Sequence, residues 1–251
     1  MHMADALLTP AVAGVMYAAS AVVAGASIVE LHKEEKQDLT STGKKLPTMA
    51  VMSALVFAGQ MINYTIPGTG SSGHLCGGLL LTSVLGPWAG FLSMIVILTI
   101  QSLFFADGGL MALGANVWNM AFYGCFVGYF LIYRPLMRSR CFARRGERAA
   151  NRLKITLASV LGCVLTLQLG AFSVVLETTL SGITDLPFGA FCAIMQPIHL
   201  AIGLIEGLIT AAVLLFLYEA RPELLRDVCT GGETAGKVSF KGTIAVIALA
   251  A

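Results

Sequence analysis

Apolar residues in this chain come in long runs, and the charged residues fall almost entirely outside them. The runs cover residues 10–29, 47–64, 75–86, 87–105, 115–133, 155–179 and 197–218. A helix that crosses a bilayer takes about 20 apolar residues, so each run reads as a membrane span. The third is short, about 18 Å as a helix at 1.5 Å per residue, and it stops at "LGPW", where Pro87 interrupts it. A further apolar run starts at residue 242 and extends to residue 251.

The polar stretches carry the positive charge unevenly. Lys33, Lys36, Lys44 and Lys45 lie between the first two runs. Arg134, Arg138, Arg140, Arg144, Arg145, Arg148, Arg152 and Lys154 lie between the fifth and sixth. Arg221, Arg226, Lys237 and Lys241 follow the seventh, and these three groups hold all 16 Lys and Arg of the chain. Cytoplasmic loops are the ones enriched in Lys and Arg. The pattern therefore predicts an amino terminus outside and residues from 219 onward inside. It also requires 75–105 to make two short crossings broken near Gly86 and Pro87, since one crossing would put the arginine-rich stretch outside. Left on the outer face are the amino terminus and residues 65–74, 106–114 and 180–196.

Composition agrees with a membrane solvent. Of the 251 residues 57% are hydrophobic and 12% charged, against about 25% charged in soluble domains. The fold class expected is an all-α, polytopic membrane helix bundle of about seven transmembrane helices. Residues 1–218 form its membrane domain, and 219–251 a cytoplasmic linker with the start of a further span. The six cysteines show no CxxC and no paired spacing, so no disulfide framework is expected. The first Lys or Arg is Lys33, so the amino end lacks the basic region of a signal peptide. Met1 is expected to keep its free amine, and the bulky His2 disfavours its removal.

That amine changes the picture, because the chain begins "MHM" and a second histidine, His74, sits in "GTGSSGHLCGG" on the same predicted face. A terminal amine, the next backbone nitrogen and the His2 imidazole can close adjacent chelate rings on one ion. The backbone nitrogen must lose its proton, which Cu(II) and Ni(II) favour and Co(II) less so. His74 could fill the fourth position of the plane, with Cys76 as a softer donor. An unstructured terminus and an interfacial His74 are the simpler reading of the same residues.

Polar groups within spans are costly and face the bundle interior. Asn63, Gln101, Asn116, Asn119, Gln196, His199 and Glu206 lie in or beside the apolar runs, and Ser72 stands beside His74. They could support the ligands or line a polar pathway; interhelical hydrogen bonding is the structural alternative. His199 and Glu206, seven apart, share a helical face. In the first run Gly14/Ala18 and Ala21/Gly25 have the spacing of close helix contacts, either within the bundle or toward another subunit. Gly108, Gly109 and Gly114 read as hinges of an outer loop.

Four stretches together resemble a known family: "MHMADALLTPAVAG", "GTGSSGHLCGG", "QSLFFADGGLMALGANVWNMAF" and "QPIHLAIGLIEGLIT". They are similar, in this order from Met1 to about Tyr218, to the cobalt/nickel substrate-specific subunit of energy-coupling factor transporters, the CbiM/NikM type. The resemblance implies a subunit of a bacterial or archaeal cytoplasmic membrane that captures Ni(II) or Co(II) as substrate, with no organic cofactor. It implies metal ligation at Met1, His2 and His74. It also implies as partners a transmembrane coupling subunit, two ATP-binding subunits and a small accessory membrane subunit, within a lipid bilayer and without nucleic acid. The chain has no Walker A motif, HExxH or GxSxG, which fits a transport subunit with ATP hydrolysis elsewhere and speaks against an intramembrane enzyme. A stand-alone metal channel or secondary transporter is the alternative.

Overall fold

The computed structural model of the chain describes residues 1–37, 42–139, 142 and 146–227. Arg140, Arg144, Arg145, Lys237, Lys241, the side chains of Lys44 and Lys45, most of the 219–251 linker and the apolar run at 242–251 lie outside the described residues. In order come α1 (Pro10–Gln37), α2 (Thr42–Gln60), β1 (Asn63–Ile66), β2 (Ser71–His74), α3 (Gly78–Leu85), α4 (Pro87–Phe104), α5 (Leu113–Arg138), α6 (Glu147–Ser181) and α7 (Phe188–Ala220).

Among the described residues five helices are long and apolar enough to cross a membrane: α1, α4, α5, α6 and α7. The apolar part of α2, Leu46–Gln60, is shorter. Large apolar side chains such as Val15, Val22, Leu131, Leu204, Leu208 and Phe216 face outward, as they do where lipid is the solvent. The chain is thus a multi-pass membrane protein. Within α5 the backbone bonds reach five residues back from Trp118 to Tyr133, a rare winding. The rings of Trp118, Phe122, Phe126 and Phe130 step along it in contact.

The third run departs from expectation. Helix α3 has eight residues, all buried. At 1.5 Å per residue it spans about 12 Å, well short of the roughly 30 Å apolar core, so it does not cross as a helix by itself. The break falls where expected: Gly86 takes φ 89° and Pro87 opens α4, with its missing N–H at the helix start. The chain reverses there, and α3 and α4 run back to back.

Small residues set the closest packing. A Cβ on Gly207 would lie 2.6 Å from Val160 Cα, and one on Gly203 2.9 Å from Val164 Cα, so α7 presses against the α6 backbone. Gly14 and Gly25 on α1 meet nothing within 4 Å. These two glycines therefore do not serve packing inside the bundle.

The two ends of the bundle differ in charge. At one end Asp227 pairs with Arg138 at 2.5 Å and Arg134 at 3.8 Å, Arg226 with Glu34 at 3.3 Å, and Arg152 with Glu219 at 3.2 Å. The Arg226 N–H donates to Ser83 O near the foot of α3 at 2.9 Å. At the opposite end the amino-terminal segment, the β1–β2 hairpin and the loop after α4 gather, and the Thr9 N–H donates to Ser181 Oγ at the end of α6 at 3.1 Å.

Candidate metal centre

The hairpin pairs Asn63 with His74 and Ile66 with Ser71, antiparallel. Its turn passes through Gly68 and Gly70, both at positive φ, the region open to glycine. The amino-terminal segment runs alongside β2 and is bridged to it. Met3 lies opposite Ser71, the Ser72 N–H donates to His2 O at 3.1 Å, and the Met1 amine donates to Ser72 O. A buried main chain must have its polar groups satisfied. On the far side of this segment Asn116 takes the place of a neighbouring strand. Its Oδ1 accepts from the Met3 N–H at 2.8 Å and its Nδ2 donates to Met3 O at 3.2 Å. The Gly109 N–H also donates to Met3 O, at 2.9 Å. The terminus is therefore threaded into the bundle, with Met1 1% exposed.

This threading brings the two predicted histidines together. The rings of His2 and His74 are 4.5 Å apart between centroids and tilted by 36°, and both are buried. His74 Nδ1 lies 2.7 Å from Leu75 O. A hydrogen bond there puts the proton on Nδ1 and leaves a lone pair on Nε2, the form that ligates metals. Nε2 of His74 and of His2 are buried without a partner. His2 Nδ1 lies 3.1 Å from Asp107 Oδ1. Burial lowers the pKa of the Met1 amine to about 6. Burial also lowers His2, against the hydrogen bond its ring makes to the Asp107 carboxylate. Burial, with the charges of the amine and His2, pushes His74 well below its ordinary value. At neutral pH all three groups are uncharged donors. Burial alone would raise the Asp107 carboxyl, but His2, Asn63 and the amine outweigh it and the net direction is down.

No group of three or more His, Cys, Asp and Glu stands ready to hold a metal among the described residues. The groups that lie together here are of another kind: a terminal amine and two imidazoles. Met1 Sδ is directed elsewhere. A Cβ on Gly170 of α6 would lie 2.5 Å from it, so the sulfur packs into a notch left by glycine.

The other predicted residues surround this group. Asn63 Nδ2 donates to Asp107 Oδ2 at 2.7 Å. Ser72 offers its carbonyl to the amine. Gln101 is buried on α4 with both side-chain polar atoms unpartnered. Asn119 donates to Glu177 Oε2 at 2.8 Å and approaches Met3 Sδ at 3.7 Å. His199 is fully buried on α7, its Nδ1 2.8 Å from Met195 O and its Nε2 unpartnered. Glu206 does have partners: it accepts from the Cys76 N–H at 2.6 Å and the Gly77 N–H at 2.9 Å. It thereby fixes the backbone that follows His74. Gln196 bonds the Gln168 backbone instead of joining the group.

Sequence reasoning missed Asp107 and Glu177. Asp107 is the one acid between Asp38 and Glu147, inside "FFADGG", and that isolation was the available signal. The glycines read as hinges are packing points. A Cβ on Gly109 would fall 1.7 Å from Asp5 Oδ1, and one on Gly114 2.6 Å from Tyr17 N, while Gly108 sits against Asn116 and His2.

Comparison with known proteins bears on this geometry. The family model for the cobalt uptake substrate-specific transmembrane region, CbiM, matches residues 2–224. NikMN of Archaeoglobus fulgidus, an inferred fused nickel transport protein, is 39% identical over 237 residues, 94% of this chain and 71% of that protein. The cobalt transport protein CbiM of Sorangium cellulosum is 33% identical over 71% of this chain and 76% of its own. The crystal structure of a transition metal transporter superposes with a TM-score of 0.72 at 32% identity, covering 88% of this chain and 93% of the other.

Proposed function

The chain belongs to the CbiM family of cobalt-uptake substrate-specific transmembrane regions, and from that membership we propose that it is the metal-capturing subunit of an ATP-driven importer for Ni(II) or Co(II). The reading rests on one observation above the others: the terminal amine, His2 and His74 are buried together at the end of the bundle away from its arginine ion pairs, with His74 Nε2 left unpartnered. The ion is held by the Met1 amine, the His2 backbone nitrogen, the His2 imidazole and His74 in a four-nitrogen plane. That set favours nickel over cobalt, since Co(II) is less inclined to deprotonate an amide in a planar field. Asn63, Ser72, Asn116 and Asn119 hold the strands, Glu206 holds the loop after His74, and Gln101 and His199 line the surrounding polar space.

In this reading the basic end, with Arg134, Arg138, Arg148 and Arg226, faces the cytoplasm and the histidines face outward. Seven crossings result if the hairpin and α3 together count as one leg. The chain has no Walker A motif, and in this reading energy comes from two ATP-binding subunits through a transmembrane coupling subunit, with a small accessory membrane subunit beside them. The open small-residue face of α1 is a docking face for one of these. Proteoliposomes carrying the chain with its coupling and ATP-binding subunits take up nickel only with ATP; uptake by the chain alone would favour a channel or secondary transporter.

Binding follows pH in a stated way. With the amine pKa lowered to about 6, neutral protein gives up about one proton per ion, from the His2 amide. Below pH 6 the amine is protonated and must also deprotonate. Nickel affinity therefore falls on acidification, and proton release rises from about one to about two per ion across pH 6. Calorimetry in buffers of different ionisation enthalpy measures this; a constant release through pH 6 would take the amine out of the ligand set.

A further inference from the structure

Adjacent chelate rings fix which nitrogen of His2 can bind. The amine and backbone nitrogen close a five-membered ring, and the path from backbone nitrogen through Cα, Cβ and Cγ to Nδ1 closes a six-membered one. Nε2 lies on the far edge of the imidazole and cannot complete that second ring. Yet His2 Nδ1 is the atom that faces Asp107 Oδ1, at 3.1 Å. The contact and the metal bond exclude one another, so an arriving ion must take Nδ1 from Asp107.

Asp107 is also placed to meet that ion first. Its side chain is 12% exposed and that of His2 3%, so of the bonded pair the carboxylate is the one that reaches solvent. Asn63 holds its other oxygen at 2.7 Å. Asp5 spends its Oδ1 on the Ala112 N–H at 3.0 Å. Glu206 and Glu177 are buried on helices and tied to Cys76, Gly77 and Asn119.

We propose that Asp107 is a capture carboxylate. It draws the hydrated dication to the mouth of the site as an outer-sphere pair and hands it to His2 Nδ1. Waters leave the ion as nitrogens replace them. The ring stays neutral, its single proton resting on Nε2 once Nδ1 holds the metal. Attraction of this kind acts in the encounter step, where a focused charge of opposite sign raises association rates by about 10- to 1,000-fold and loses that advantage in salt. The inference rests on the function proposed above.

Stopped-flow absorbance with nickel chloride and the purified full chain tests it. Asp107→Asn keeps the shape and removes the charge; its one carbonyl oxygen can still accept from His2, and the Asn63 amide must turn over to accept from the new NH2. The expected result at low ionic strength is an association rate constant at least about tenfold lower than wild type, with dissociation little changed and the gap closing as salt is raised. Asp107→Glu retains fast association. Equal rates for wild type and Asp107→Asn, or a gap indifferent to salt, would overturn the proposal. The wild type supplies a reading that needs no variant: its association rate falls with salt, and a flat profile would also overturn the role of Asp107. A wild-type chain that takes up no nickel at all would overturn the function itself.

Discussion

Nickel binding is lost when His74 becomes alanine. His74 is the ligand contributed by a separate segment, and without it the amino terminus supplies three nitrogens and leaves the plane open. Loss of an outer partner of a metal ligand costs roughly 10- to 100-fold in affinity; loss of the ligand itself costs more, beyond about 3 kcal/mol. The fold should survive the change. His74 Nδ1 meets only the adjacent Leu75 carbonyl and Nε2 has no partner, so the truncation strands no group elsewhere. Equilibrium dialysis with nickel, beside a thermal melt of the metal-free protein, separates the two effects. A folded His74→Ala protein that binds as wild type does would remove His74 from the site.

Extending the chain by Gly-Ser ahead of Met1 has an equally large effect. The amine becomes an amide, the five-membered ring loses its neutral donor, and the new amine lies too far along the strand to replace it. Every side chain remains. Met1 is 1% exposed and its sulfur is packed against Gly170, so a thioether does not compensate. Inserting a single residue between Met1 and His2 is a poorer experiment. It would create an amine, two amides and an imidazole from one strand, a set that fills a nickel plane without His74. The extended protein is expected to hold no stoichiometric nickel after dialysis; full occupancy would contradict a role for the amine.

Much of this architecture was legible along the chain because membrane solvent imposes long apolar runs and sorts Lys and Arg to one side. That sorting put His2 and His74 at one end, and the structure places them 4.5 Å apart between centroids. The break at Gly86 and Pro87 was legible from backbone chemistry alone. The length of α3 was not. Hydropathy counts Leu75, Cys76 and Gly77 as span, whereas their backbone is diverted to Glu206 and to the approach of the hairpin. The hinge reading of Gly108, Gly109 and Gly114 failed for a related reason. A glycine in sequence shows freedom, and only the fold shows Asp5 or Tyr17 filling the space a side chain would need. Asp107 and Glu177 were missed because a lone acid carries no pattern; their meaning comes from His2 and Asn119, distant in sequence and adjacent in space.

X-ray absorption of the nickel-loaded wild-type protein tests the central claim most directly, since it reads the donors themselves. The account predicts a single short shell of four nitrogens in a planar field, with no sulfur scatterer. A six-coordinate oxygen and nitrogen shell, or a nickel–sulfur distance from Met1 or Cys76, would contradict it.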